Sequence, residues 1–288
     1  MPVNVRSVVF GTDLHERTLA AGRYAALFAR RADAELVVAH AMQLAQAAVE
    51  VEALTHAASA QRRDVERALA ELTTTLGALA GRATSLLGDG DPVDLMRTAA
   101  AGRGPSLVVL GTHGAGGLEH HLIGSVAEEI LRTVDGPVLT VGPHVAVPEG
   151  PPLLFKRVLY ATDFSPAAVQ AARSASNLAH AFGSAFDALY VVPGGVEGGP
   201  TSLNDDERRV QATLERFVGE HPSELADADR FVAFGEIHER VLAHARERGV
   251  DLVVLGAHHH SWLERHLRTG PAYEIIRAAP CPVLTICG

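Results

Sequence analysis

The chain lacks the residues that build the best-known phosphate-binding loops. Its 288 residues include a single lysine, Lys156, so the GxxxxGK[ST] pattern cannot occur. No GxGxxG pattern follows an apolar run either. Any anion site in this chain must therefore rely on backbone N–H groups, helix termini, hydroxyl groups or histidine.

Cysteine, long apolar runs and positive charge are also scarce. The two cysteines, Cys281 and Cys287, lie at the C-terminal end and cannot cross-link a chain of this length, which predicts a cytoplasmic location. No apolar run reaches the eighteen residues of a transmembrane helix. The net charge is -9, with 34 acidic and 25 basic residues, so we expect neither a nucleic-acid partner nor a membrane surface.

What the chain does contain is a regular alternation of short apolar runs and helical periodicity. Helices are predicted at 16–32, 43–80 (one or two helices), 93–101 and 126–134, and Leu19, Tyr24, Leu27 and Phe28 are expected to form the core face of the first. The intervening strands are predicted at 5–10, 35–41, 83–87, 107–110 and 137–141. This order indicates an α/β fold with a parallel sheet covered on both faces.

The same pattern then repeats. A segment rich in proline and glycine, 143–152, divides the chain into predicted domains 1–146 and 153–288. Residues 158–163 repeat 8–13 at an offset of 150, and residues 282–286 repeat 137–141 at an offset of 145. Because several independent segments keep their register, an internal duplication is the strongest prediction from the sequence.

A glycine-rich connection joins the fourth strand of the first copy to the following helix. Residues 111–126 read GTHGAGGLEHHLIGSV, with nine residues between Gly114 and Gly124, and with Ser125 next. Glycines let a backbone approach an anion closely, and the first N–H groups of a helix have no partner inside it. Ser125 could donate its hydroxyl to a phosphate or could simply cap the helix.

Four features together resemble the universal stress protein family. They are the first strand ending in Thr-Asp, the VVLGTHG segment, the glycine spacing and the closing strand PVLTV, and the likeness extends over both copies. The resemblance implies two tandem Rossmann-like (adenine nucleotide alpha hydrolase-like) domains. Each would be a five-stranded parallel sheet of order 3-2-1-4-5 flanked by helices. It also implies ATP at the carboxyl ends of strands 1 and 4.

In the N-terminal copy the resemblance implies contacts to the adenosine, to the ribose and to the phosphates, with Mg²⁺ beside the phosphates. The Asp13 carboxylate would meet the ribose hydroxyls or the metal, and Ala41, just after the second strand, would contact adenine through its backbone. The implied binding residues are Thr12, Asp13, Ala41, Gly111, His113, Gly114, Gly124, Ser125 and Val126. Without a ligand, Asp13 and Asp163 could instead cap the helices that follow them.

The C-terminal copy keeps only part of this pattern. Its counterparts are Thr162, Asp163, Val191 and Gly256, but His259 replaces the second glycine and Thr269-Gly270 replaces Gly-Ser. Pro271 follows at an early helix position, where proline is tolerated. We therefore expect the N-terminal copy to bind ATP, and the C-terminal copy to bind it weakly or not at all.

The leading hypothesis is an ATP-binding stress-response module. Its two copies would form an internal pseudo-dimer through their last strands, and two chains could pair again as a homodimer. One alternative is a slow ATP hydrolase or nucleotidyl-transfer enzyme on the same fold, although no catalytic residues can be assigned. Another is a scaffold whose C-terminal domain binds a non-nucleotide ligand. We favour a solvated loop over a metal site for the histidines at 258–260, and a buried, unreactive position for Cys281.

Overall fold

The computed structural model describes residues 5–42, 51–112, 123–151, 155–193, 227–257 and 270–287, together with the isolated residues 208, 212, 215, 216 and 225. The first half contains five strands and the helices between them. In chain order they are β1 (Ser7–Gly11), a 3-10 turn (Glu16–Thr18), α1 (Leu19–Ala32), β2 (Glu35–Met42), α2 (Val51–Ala80), β3 (Ala83–Asp89), α3 (Pro92–Ala101), β4 (Ser106–Gly111), α4 (Ser125–Thr133) and β5 (Pro137–Val141).

The second half repeats this order in its described part. Its elements are β6 (Arg157–Thr162), α5 (Pro166–Phe182), β7 (Ala185–Val192), β8 (Asp229–Phe234), α6 (Ile237–Glu247), β9 (Leu252–Ala257), α7 (Pro271–Ala278) and β10 (Val283–Cys287). The duplication predicted from the sequence is therefore present in the fold.

All ten strands form one sheet, in the order β3-β2-β1-β4-β5-β10-β9-β6-β7-β8. Read from each outer edge towards the middle, both halves have the predicted order 3-2-1-4-5, and every pair within a half is parallel. The fold prediction of two tandem, doubly wound α/β domains is confirmed.

The two halves join where β5 and β10 run antiparallel, with Thr140 opposite Val283 and Val138 opposite Thr285. A twofold rotation perpendicular to the sheet reverses strand direction, so equivalent strands that meet at such an axis must be antiparallel. The predicted pairing of the last strands across a pseudo-twofold axis is confirmed. The exact domain limits at 146 and 153 remain a prediction.

The eight inner strands are largely buried on both faces, as expected for a parallel sheet covered by helices, whereas the edge strands β3 and β8 are partly exposed. In β1, Val8 and Phe10 face the apolar layer formed with α1, α2 and α5, and Val9 faces the layer formed with α3, α4, α6 and α7. All three side chains are fully buried. Each layer runs through both halves of the chain, so the two copies share their cores as well as their sheet.

The helices begin and end at residues suited to those positions. Asp91 caps α3 by accepting the Val93 N–H at 2.6 Å, and Ser165 caps α5 by accepting the Ala168 N–H at 3.4 Å. A proline occupies the first turn of each of these helices, where its missing N–H costs nothing. The expectation that Leu19 lies on the core face is wrong: Leu19, at the first position of α1, is 42% exposed.

The C-terminal half contains a buried ionic cluster without a counterpart in the N-terminal half. Asp187 in β7 is fully buried and accepts hydrogen bonds from Arg157 (2.7 Å), His244 (2.9 Å) and Arg248 (2.8 Å). Burial would raise the pKa of Asp187, but the hydrogen bonds from His244, Arg248 and Arg157 outweigh it and lower the pKa to about 2. The repeat places the apolar Val37 at the position of Asp187.

We expect Asp187→Ala to lower the free energy of unfolding by about 3 kcal/mol at neutral pH, because three cationic or polar partners lose their buried acceptor. The control is Asp229→Ala, which removes an exposed carboxylate 3.5 Å from Arg248 and should cost less than about 1 kcal/mol. Urea unfolding of both variants measures the difference. Equal losses in the two variants would contradict the assignment of the stabilisation to Asp187.

The same cluster predicts an acid dependence. Since the pKa of Asp187 is lower in the folded chain than its ordinary value of 3.8, its stabilisation is complete above pH 3.8 and is lost as the pH falls towards 2. The stability difference between the wild type and Asp187→Ala should therefore narrow by about 1 kcal/mol between pH 6 and pH 3. A constant difference over this range would contradict the lowered pKa.

Two equivalent threonines at the junction of the halves have different environments. Thr140 in β5 donates its hydroxyl to the Val283 carbonyl at 3.2 Å. Its counterpart in β10, Thr285, is 1% exposed, and its hydroxyl has no hydrogen-bond partner among the described residues. A buried hydroxyl without a partner loses its hydration without compensation.

We expect Thr285→Val to leave the free energy of unfolding unchanged or to raise it by up to about 1 kcal/mol. The matched Thr140→Val variant should lower it by about 1 kcal/mol, because it removes a hydrogen bond that is made. Chemical unfolding of the two variants provides the comparison. A larger loss in Thr285→Val than in Thr140→Val would contradict the prediction.

Candidate functional site

In each half, the strand order predicts a crevice at the carboxyl ends of two central strands. In the N-terminal half β1 and β4 are neighbours, and the chain continues from β1 to one side of the sheet and from β4 to the other. The helices that follow two such strands lie on opposite faces, which opens a crevice at the strands' carboxyl ends. β6 and β9 occupy the same position in the C-terminal half.

A tight turn follows β1 at this edge. The Thr12 hydroxyl oxygen accepts the Leu14 N–H at 2.9 Å, and one Asp13 carboxylate oxygen accepts the His15 N–H at 3.0 Å. These bonds hold Leu14 at φ 63°, a left-handed conformation that is costly for a branched side chain. Thr12 is buried, whereas the Asp13 carboxylate is exposed at the mouth of the crevice.

The C-terminal copy reproduces this turn residue by residue. Thr162 accepts the Phe164 N–H at 3.1 Å, Asp163 accepts the Ser165 N–H at 2.9 Å, and Phe164 has φ 59°. Neither aspartate is the N-cap of a helix, because His15 caps the 3-10 turn and Ser165 caps α5. The alternative that these aspartates only cap the next helix is therefore wrong.

The end of β2 forms the second wall of the N-terminal crevice. Ala41 lies within β2, opposite Gly88 of β3, and not just after the strand as expected. Its other edge faces the crevice, since β1 pairs with β2 only as far as Ala39. The strand is longer than expected because β3 continues beside it to Asp89.

The residue before Ala41 is one that sequence reasoning missed. The Nδ1 atom of His40 lies 2.8 Å from the Thr12 carbonyl oxygen. Because a carbonyl can only accept, Nδ1 must be the donor, so His40 ties the end of β2 to the turn after β1. Its side chain is partly exposed at the crevice. The only sequence signal was a polar residue at the end of an otherwise apolar strand.

The third wall is the start of α4. Gly124 is its N-cap, with φ -60° and ψ 145°, and its N–H donates to the Thr112 carbonyl at 2.7 Å. Ser125 is the first helical residue and is exposed, so it does not cap the helix as the alternative reading proposed. The N–H groups of Ser125, Val126 and Ala127 lie in the first turn, where the helix itself supplies no acceptor. Gly111 ends β4 beside this turn.

Among the described residues, no packing contact requires glycine at position 124. Its φ is accessible to any residue, and of the described atoms a Cβ there would meet the Thr112 carbonyl oxygen, at an ordinary 3.5 Å. Gly11, by contrast, is needed for packing, because a Cβ there would lie 2.7 Å from the Leu110 side chain.

Several predicted residues lie outside the described part of the chain. His113 and Gly114 are among them, and so are the histidines at 258–260 and Thr269. Their proposed contacts remain predictions. The described residues place Thr12, Asp13, Ala41, Gly111, Gly124, Ser125 and Val126 around one crevice.

The C-terminal crevice differs at each wall. The ring of Tyr190, at the position of His40, packs on Phe164 with centroids 4.4 Å apart. Val191, at the position of Ala41, is 5% exposed, and Gly256 lies within β9 opposite Ile286. Helix α7 has Gly270 as N-cap and Pro271 in its first turn.

Proline in the first turn of α7 removes one of the donors that α4 presents. The sequence offset pairs Ser125 with Gly270, so α7 also begins one residue later than α4. The early helical proline expected from the sequence is confirmed. An anion at this helix start would find fewer N–H groups than at α4.

Other reactive side chains offer no competing site. Cys281 is buried, and burial raises the pKa of its thiol to about 12, so it is unreactive, as expected. Within the described ranges, no three His, Cys, Asp or Glu side chains converge to hold a metal ion. No helix among those residues is long and apolar enough to cross a membrane.

These features define a class: a tandem, doubly wound α/β protein with an anion-compatible crevice at its switch point. The universal stress protein family matches residues 4–142 and 154–286. The chain therefore belongs to the universal stress protein family, with one domain of that family in each half. No curated protein matches the chain significantly.

Two solved structures that align over nearly the whole chain have the same fold. A universal stress protein from Archaeoglobus fulgidus DSM 4304 aligns over 100% of this chain and 98% of its own, with 21% identity and a TM-score of 0.74. A Pseudomonas aeruginosa PAO1 protein described as functionally unknown aligns over 99% and 93%, with 14% identity and a TM-score of 0.64. A universal stress protein in complex with cAMP covers 47% of this chain and 96% of its own, at 25% identity and a TM-score of 0.37.

We expect Gly124→Ala to fold with a free energy of unfolding within about 1 kcal/mol of the wild type, since its Cβ has room and its φ is ordinary. Gly136→Ala is the control: it also has open space, but φ is 123°, so it should lose more than about 1 kcal/mol. Thermal and urea unfolding measure both. A large loss in Gly124→Ala would show that the glycine serves the fold.

Proposed function

We propose that this universal stress protein binds ATP, held mainly by its N-terminal domain, and acts as a stress-response signalling module. The observation that carries the proposal is the start of α4. There, an N-cap residue without a side chain, Gly124, lies beside the first-turn N–H groups at the switch point of the sheet.

The residues present fit a nucleotide with phosphates. The first turn of α4 supplies N–H donors, the positive end of the helix dipole and the exposed Ser125 hydroxyl, all suited to a polyanion. Gly124 leaves space for close approach, and no lysine is needed. These donors can bind phosphate oxygens in place of the GxxxxGK[ST] loop, which this chain lacks.

The opposite side of the crevice suits a nucleoside. The exposed Asp13 carboxylate, fixed by the turn after β1, can accept hydrogen bonds from ribose hydroxyls or bind Mg²⁺ beside the phosphates. The backbone edge of Ala41 beyond the end of β1 can meet the edge of a base. When bound, ATP would add the negative charge of its phosphates and stabilise one conformation of the protein. The chain's own groups would orient the nucleotide.

The contrast between the domains supports binding in one of them. In the C-terminal crevice the Phe164–Tyr190 pair stands where Leu14 and His40 stand, and the helix start has a proline. The larger aromatic surface and the smaller number of backbone N–H donors favour an empty crevice or an apolar ligand over a triphosphate. If ATP binds one conformation of the protein more tightly than another, the ATP concentration sets which conformation a partner meets. A homodimer is compatible with this role.

The test is to denature purified protein and quantify the released nucleotide per chain, followed by titration of the emptied protein with Mg-ATP. We expect about one ATP per chain, and at least a tenfold weaker affinity in Gly124→Val, whose side chain would lie beside the first-turn N–H groups. Unfolding curves confirm that the variant is folded.

The matched pair Asp13→Ala and Asp163→Ala assigns the domain, because each removes the same turn contact from one copy. Loss of affinity in Asp13→Ala alone supports the N-terminal site. Two nucleotides per chain would overturn the assignment to one domain. No binding in the titration would overturn the proposal, and steady ATP turnover abolished by Asp13→Ala would favour an enzyme.

A further inference from the structure

A buried side chain of the C-terminal domain forms a hydrogen bond with the N-terminal domain just before the start of α4. The Ile123 N–H donates to the hydroxyl oxygen of Tyr273, in α7, at 3.0 Å. Ile123 and Tyr273 are each 4% exposed. This hydrogen bond connects the two halves of the chain one residue before Gly124.

The bond belongs to a short series of hydrogen bonds at Thr112, Ile123 and Gly124. The Thr112 N–H donates to the Val141 carbonyl at 3.1 Å, and the Thr112 carbonyl accepts the Gly124 N–H at 2.7 Å. The next N–H back along the chain, that of Ile123, is the one held by Tyr273. Two consecutive amides are therefore anchored by opposite domains, and the helix turn that follows takes its direction from both.

α7 also packs against the strand end behind this loop. A Cβ atom placed on Gly142, directly after β5, would lie 3.7 Å from the Ile276 carbonyl oxygen and 3.9 Å from the Thr112 hydroxyl. The same helix thus packs beside the residue after β5 and holds the Ile123 amide. The sequence offset places Glu128 at the equivalent position of α4, so the tyrosine is specific to the C-terminal copy.

We propose that Tyr273 is a positioning residue for the phosphates of a nucleotide bound in the N-terminal domain. By accepting the Ile123 N–H across the domain junction, it sets the direction of the first-turn N–H groups of α4. The inference rests on the proposed function. It assigns the C-terminal domain a role in nucleotide binding without a nucleotide of its own.

The contact gives a distinctive expectation for affinity. The start of α4 faces the phosphates, whereas the nucleoside is held at the ends of β1 and β2. Loss of the Tyr273 hydroxyl should therefore weaken ATP binding and leave adenosine binding unchanged. An unpaired buried N–H costs on the order of a tenfold change in an equilibrium, so we expect ATP affinity to fall about five- to tenfold.

The experiment compares wild type, Tyr273→Phe and Thr140→Val in ¹⁵N-labelled protein freed of nucleotide. Thr140→Val is the matched control, because it also removes a buried hydrogen bond between the halves, 3.2 Å long, but leaves the Ile123 amide alone. Two readouts are taken: exchange of the Ile123 amide hydrogen without ligand, and affinities for ATP and for adenosine by titration.

We expect faster exchange of the Ile123 amide and a weaker affinity for ATP alone in Tyr273→Phe, with neither effect in Thr140→Val. Unchanged ATP affinity in Tyr273→Phe, while the wild type binds ATP, would overturn the inference and leave the proposed function standing. An equal loss for ATP and adenosine would reduce Tyr273 to a general structural role and overturn it too. Absence of ATP binding by the wild type would overturn the proposed function and this inference together.

Discussion

The antiparallel pairing of β5 with β10 is the contact on which the rest of this structure depends. It converts two five-stranded sheets into one ten-stranded sheet and removes the exposed strand edge that each half would otherwise present. It also brings α4 and α7 to the same face, where Tyr273 reaches Ile123. Without this pairing the halves would lose their common sheet, and the start of α4 would lose its support from the other half.

Much of the fold could be predicted because its determinants are local. Apolar runs such as 107–110 and the repeated Thr-Asp ends of β1 and β6 mark strands and turns without any knowledge of tertiary contacts. The strand order 3-2-1-4-5 and the pairing of the last strands were expected from the resemblance to the universal stress protein family. Element ends were less predictable: β2 extends through Ala41 because β3 lies beside it, and Leu19, the first residue of α1, is exposed.

The site could be predicted in part for the same reason. Residues chosen from the resemblance, such as Thr12, Asp13 and Gly124, belong to short local motifs and lie just after β1 or at the start of α4. Residues whose roles arise from long-range contact could not be found, because nothing in the local sequence distinguishes them. His40 meets Thr12 across a strand pair, Tyr273 meets Ile123 across a domain junction, and both look like ordinary members of their elements until the chain is folded.

Duplication also explains how the halves could diverge. A shared sheet and two shared apolar layers mean that stability is pooled between the copies, so one copy can change its crevice without unfolding the whole. The C-terminal half has a buried carboxylate, Asp187, where the N-terminal half has Val37, and an aromatic pair where its partner has Leu14 and His40. Burying an ion pair costs desolvation free energy, so the pair adds little net stability relative to an apolar core. Removing one partner is nevertheless strongly destabilising, because the other charge then stays buried without a partner. Asp187 ties β7 to the start of β6 and to the end of α6, so this change is confined to the C-terminal half.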